Sequence, residues 1–125
     1  SRYNLRLDRL LKPIQMDVMR WRVLSLLVDR RAATVTTISE ITVTKISTIA
    51  KVIQRMEVQK LVRTGVSASD ARATEVSITP LGRQILNDVR PKVAGISRLA
   101  FQGLTDAELR EVNSVVAKMF DNLSL

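Results

Sequence analysis

The chain has 125 residues, 46% of them hydrophobic, a net charge of +8, and neither cysteine nor histidine. That length suits one domain with one core, and the hydrophobic fraction excludes a disordered chain. Without Cys or His, disulfides, the usual transition-metal sites and most nucleophile–base pairs are excluded. No catalytic, cofactor or metal-binding residue is therefore expected, and no enzymatic activity. No apolar run approaches the ~20 residues that span a bilayer, and no signal-peptide pattern is present. The expected location is cytoplasmic and, given the basic charge, nucleoid-associated. The chain does not begin with Met, so residues are expected to precede it.

Residues 1–12 read as a helix, with Leu5, Leu7, Leu10 and Leu11 set among Arg2, Arg6, Arg9 and Lys12. Pro13 ends it, because proline disfavours helical backbone in the residue before it. Asp17 caps a second helix over 18–30, whose apolar stripe is Trp21, Leu24, Leu27 and Val28. Residues 32–34 read as a short connection with at most one β-bridge. Thr34 or Thr36 caps a third helix over about 35–42, and Thr44 or Lys45 opens a fourth that runs to about Lys60. Residues 61–64 and 74–78 alternate like strands, and the small, polar stretch 65–73 between them makes a hairpin with a long tip. Thr79-Pro80 starts a fifth helix, running to about Gln102 with a kink at Pro91 and a stop at Gly103. Thr105-Asp106-Ala107-Glu108 is a capping box. It opens a last helix to about Asn122, with Leu109, Val112, Val116, Met119, Phe120 and Leu123 as its stripe.

The expected fold is a single domain over 1–125, mainly α with a small two-stranded β-wing, an α+β winged helix-turn-helix. Residues 18–79 form the DNA-binding part. In the fourth helix, Ile46, Ile49, Ile53 and Met56 share one sector and are expected on the core. Thr44, Thr48, Lys51 and Arg55 cluster on the opposite side, with Ser47 beside them near the helix start. Hydroxyls and cations without an acidic residue are what a helix in the major groove needs. An ordinary solvated face has the same composition, so the helix alone leaves both readings open. Bulk charge does not decide between them. Residues 1–31 hold 8 basic and 3 acidic groups, whereas residues 32–79 hold 6 and 4.

Several motifs appear in one order: Trp21-Arg22-Val23-Leu24, Ser47-Thr48-Ile49, Arg55-Met56-Glu57, Leu61-Val62-Arg63, Asp70-Ala71-Arg72, Val76-Ser77-Ile78-Thr79 and Gly82. Over almost its whole length the chain thereby resembles the MarR family of winged helix-turn-helix transcriptional regulators. That family commonly shows Trp-Arg-Val-Leu in its second helix, Ser-Thr-Val and Arg-Leu-Glu in the recognition helix, and Asp-x-Arg in the wing. The resemblance implies that Arg72 is the wing arginine of the minor groove and Asp70 the structural partner that aims it. It places Lys51 and Arg55 at basic recognition-helix positions, though Arg55 could instead pair with Glu57 or Asp70. With Lys45, Ser47 and Thr48 these complete the candidate contacts to double-stranded DNA. The chain departs from the family at Lys60 and Arg31, which stand where glycines are usual, and at Lys45, where Ser or Asp often caps. Its first helix is also shorter than usual for the family.

The resemblance further implies a homodimer built from the first and last two helices, residues 1–12 and 80–125. Leu7, Phe101, Val116, Met119, Phe120 and Leu123 are the candidate dimerisation residues. A dimer would read a pseudo-palindromic operator. Release by a small, aromatic or phenolic effector is the regulation expected of a repressor of this kind. Met16, Trp21, Leu24 and Leu86 are candidate pocket residues, with Arg9, Arg20 or Arg22 as partners for a carboxylate. A non-specific architectural DNA binder and a winged-helix protein-interaction module are the alternative functions.

Overall fold

The computed structural model describes residues 2–123. In chain order the elements are α1 (Arg2–Leu11), a 3-10 turn (Lys12–Ile14), α2 (Val18–Arg30), β1 (Ala32–Thr34), α3 (Val35–Ile41), α4 (Ile46–Val58), β2 (Val62–Val66), β3 (Thr74–Ile78), α5 (Pro80–Ala100) and α6 (Asp106–Leu123). The helices start where local side chains satisfy their free amides. Asp17 accepts from the Arg20 N–H at 2.9 Å, Thr34 from the Thr37 N–H at 3.1 Å, and Thr79 from the Gly82 N–H at 3.0 Å. The capping box forms reciprocally: Thr105 N–H donates to Glu108 Oε1 at 3.0 Å, and Glu108 N–H donates to Thr105 Oγ1 at 3.1 Å. The Thr105 backbone N–H, and after it the Thr105 hydroxyl, hold the Glu108 carboxyl below its ordinary range.

The sheet has three strands, not two. Its order is β1-β3-β2, all antiparallel, with Ala32, Ala33 and Thr34 facing Ser77, Val76 and Glu75. Residues 32–34, expected to make at most one bridge, thus form a strand that covers the free edge of β3. An uncovered edge would leave backbone N–H and C=O groups unpaired, and Ala33 is buried there.

The core lies between α2, α4, α5 and the sheet, around Leu24, Leu27, Ile49, Met56, Val76 and Leu86. α1 lies on α5 and adds Leu7 and Leu11 to it. Leu7, a candidate for the dimer interface, is already buried within this chain. Ile49, Ile53 and Met56 face the core as their spacing predicts, but Ile46 is 52% exposed. It lies in the first turn of α4. α4 begins at Ile46 with Lys45 in the cap position and no side-chain cap. Thr44 does not cap it; its hydroxyl donates to the Thr42 carbonyl oxygen at 3.0 Å.

Lys60 and Arg31 both have positive φ, of 63° and 65°, a region that glycine enters most readily. Gly103, at φ 84°, ends the α5 segment. Val43, in the turn between α3 and α4, has φ 50° and is 91% exposed. A β-branched side chain in that region is strained, and Val43 gains no packing in return. Val43→Asn should therefore stabilise the protein by about 1 kcal/mol and raise its melting temperature by several degrees. A thermal melt with an unchanged or lower midpoint would contradict that account of the turn.

Candidate nucleic-acid interface

α3, the turn at 42–45 and α4 form the helix-turn-helix, and β2, β3 and their connection form the wing. The turn is braced from below: Ser39, buried, donates its hydroxyl to the Thr44 carbonyl oxygen at 2.6 Å. The α4 core residues set the roll of that helix and leave its other face to solvent. Lys45, Ser47, Thr48, Lys51 and Arg55 are all exposed on it. The acidic residue of α4, Glu57, is engaged elsewhere: its Oε2 accepts from both the N–H and the hydroxyl of Thr64 in β2. Arg55 therefore does not pair with it. Among the described residues the ion pair is Arg20 with Asp17, so Lys45, Lys51, Arg55 and Arg72 have no carboxylate partner.

At the wing tip, Asp70 Oδ1 accepts the Arg72 backbone N–H at 2.9 Å, and the Asp70 carbonyl oxygen accepts the Ala73 N–H at 3.0 Å. Asp70 thus acts on the Arg72 main chain through an Asx turn and not on the guanidinium. The Ser67 N–H closes the loop onto the Ala73 carbonyl oxygen at 3.0 Å. Arg72 is carried exposed on this turn. Arg63, on β2, is exposed as well.

The seven candidate effector residues do not all meet in one cleft of this chain. Leu24 and Leu86 are fully buried core residues, and Met16 is nearly so. Arg9 is exposed on α1. Trp21 lines a cleft of about 470 Å³ between α2 and the end of α3, together with Arg22, Ser25 and Ile41. Arg20 lines another, of about 510 Å³, against α4. There it meets Gln59, which sequence reading did not single out: Arg20 Nη1 donates to Gln59 Oε1 at 2.8 Å. The two residues lie in different helical segments with no shared motif, so no local signal could pair them.

The geometry defines a winged helix-turn-helix protein of the class that regulates transcription through DNA. No protein-family model matches the sequence. The chain is 37% identical over 123 residues to the HTH-type transcriptional repressor IacR of Pseudomonas putida, covering 98% of this chain and 74% of that protein. Among solved structures, a MarR-family regulator from Silicibacter pomeroyi superposes with a TM-score of 0.85 at 24% identity, over 99% of this chain and 84% of that one. BpsR of Bordetella bronchiseptica, whose DNA binding is regulated by 6-hydroxynicotinic acid, gives 0.82 at 25% identity, over 96% and 86%. AbsC of Streptomyces coelicolor, also of the MarR family, gives 0.86 at 22% identity, over 97% and 84%. The chain belongs to the MarR family of winged helix-turn-helix transcriptional regulators.

Proposed function

We propose that the protein is a homodimeric repressor that binds a pseudo-palindromic DNA operator and releases it when a small molecule binds. The observation that carries the DNA reading is the exposed face of α4, where Lys51 and Arg55 stand among hydroxyls with no carboxylate to neutralise them. Lys45, Ser47 and Thr48 at the start of that helix reach base edges and phosphates of the major groove. Arg72 on the wing enters the adjacent minor groove, whose negative potential deepens where A·T tracts narrow it. Selection of a preferred duplex from random DNA tests this. The expected product is an imperfect palindrome with half-sites about 10 base pairs apart. Equal binding to random and selected duplexes at ~150 mM salt would favour an architectural role instead.

The homodimer reading rests on α6, which buries no residue within the chain. Phe101, Val116, Met119, Phe120 and Leu123 range from 41% to 78% exposed around it. An apolar stripe of this length on a lone helix favours a partner helix over water. Sedimentation should show twice the 14.0 kDa chain mass at micromolar concentration. Met119→Asp should yield a folded monomer with weakened operator binding, because Met119 is 61% exposed in the chain and lies in the proposed interface. A parent protein sedimenting as one chain would sink this reading.

The effector reading is supported by BpsR, regulated by 6-hydroxynicotinic acid, and by the two clefts beside α2. Each falls within the ~300–1,000 Å³ of small-molecule sites. Operator release by a panel of aromatic acids is its test.

A further inference from the structure

Ile46 is the first residue of α4, and its spacing assigns it to the sector that Ile49, Ile53 and Met56 turn to the core. Those three are buried, yet Ile46 is 52% exposed. An isoleucine held half in water forgoes part of the stabilisation that burial would bring. A lone exposed apolar residue is ordinary on a protein surface, and its surroundings decide what it can meet. From Thr42 to Gln54 the chain holds Lys45 and Lys51 and no acidic residue. Both lysines are exposed. Ile46 therefore lies in a stretch whose charge suits a polyanion, in the turn that a recognition helix brings to the base edges.

The first turn of α4 presents Ile46, Ser47 and Thr48 to solvent. A hydroxyl both donates and accepts, so Ser47 and Thr48 suit any base and discriminate weakly. Ile46 offers no hydrogen bond. On the major-groove edge of a base pair the apolar feature is the thymine C5-methyl group, set among the donors and acceptors of the other bases. Against thymine, the isoleucine and the methyl group remove apolar surface from water together. Against cytosine, the N4 amino group would be covered by a side chain that cannot accept from it, which costs free energy. The same residue thus favours one pyrimidine and penalises the other.

We propose that Ile46 is a specificity-determining residue that packs on the C5-methyl group of a thymine, one in each half-site of the operator. Lys45, beside it in the cap position and without a carboxylate partner, holds that turn to the phosphate backbone. The inference rests on the DNA reading of α4 and adds to it the base that the first turn selects.

The test uses the duplex selected from random DNA, with its thymidines replaced one at a time by deoxyuridine, which lacks only the C5-methyl group. Binding is followed by fluorescence anisotropy at fixed salt. For the parent protein, one position in each half-site should be sensitive. Loss of that methyl group should weaken binding about fourfold in one half-site, as for one buried CH2 group, and by more than about tenfold in both. A cytosine placed at the same position should be bound more tightly once it is 5-methylated, because the methyl group returns. Ile46→Ser should bind the thymidine and deoxyuridine duplexes alike, whereas Ile46→Val should keep the difference. The comparison of duplexes on the parent protein stands even if the serine variant folds poorly. A selected duplex whose every thymidine tolerates deoxyuridine overturns the assignment and leaves the DNA reading intact. So does a sensitivity undiminished in Ile46→Ser, which would place the methyl contact on another side chain. Failure to select any duplex over random DNA would remove the DNA reading itself, and the assignment with it.

Discussion

Gly82→Ala should destabilise the protein by about 3 kcal/mol, at the upper end of what overpacking costs, and lower its melting temperature by on the order of 10 °C. A methyl group on Gly82 would overlap the Leu61 carbonyl oxygen and lie 2.8 Å from Ile78 Cγ1. The first obstacle is backbone and cannot swing aside as a side chain would. It is also pinned: the Thr79 N–H donates to the Leu61 carbonyl oxygen at 3.1 Å, and the Thr79 hydroxyl to the Lys60 carbonyl oxygen at 2.6 Å. The same Thr79 oxygen accepts the Gly82 N–H at the start of α5. One buried threonine thus joins the end of the recognition-helix segment, the wing and α5, and the alanine methyl must break that joint to fit. Each buried hydrogen bond lost adds about 1 kcal/mol. Gly65→Ala is the control, since nothing lies within 4 Å of its added carbon. Urea and thermal unfolding of both variants measure the difference. If Gly82→Ala melts with the parent, the joint between wing and α5 is not close-packed.

Lys51→Ala and Arg72→Ala should each weaken operator binding without altering the melting temperature, because both side chains are exposed. A side chain that reads a guanine is worth about 1–3 kcal/mol. In a dimer each substitution acts twice, so Lys51→Ala costs about 2–6 kcal/mol if Lys51 reads a base in each half-site. In that case preference relaxes at one position per half-site. If Lys51 meets only phosphate, all sequences weaken together and the salt slope falls by about one per subunit. Arg72→Ala should leave the central preference intact and erase the preference for A·T-rich flanks. Binding curves on the selected operator and on flank-swapped duplexes, at several salt concentrations, separate these outcomes. An Arg72→Ala protein that binds like the parent while melting much earlier would make Arg72 a purely structural wing residue.

The wing shows how far a motif can be trusted. The spacing of Asp70 and Arg72 identified a pair, and the two residues do interact. The bond runs from the Arg72 main chain to the Asp70 carboxylate, which frees the guanidinium. Residue type and spacing cannot separate an Asx turn from an ion pair, because both need an acidic group two residues before its partner.

Helix boundaries were legible in the sequence because their causes are local. Asp17, Thr34, Thr79 and Thr105 each bond an amide three residues away, so the residues that start a helix lie within one turn of it. Periodicity placed Ile49, Ile53 and Met56 on the core for the same reason, as one helix carries its own geometry. Lys60 and Arg31 stand where the family usually has glycines, and both have positive φ. What only the tertiary structure decided involves partners far along the chain. β1 is a strand because Val76 and its neighbours leave an edge for Ala33 to cover. Leu7 is buried because α1 lies on α5. Arg20 meets Gln59 because α2 and α4 pack side by side. No short-range rule of spacing or propensity carries such information; it arises only when the core closes and sets which faces meet.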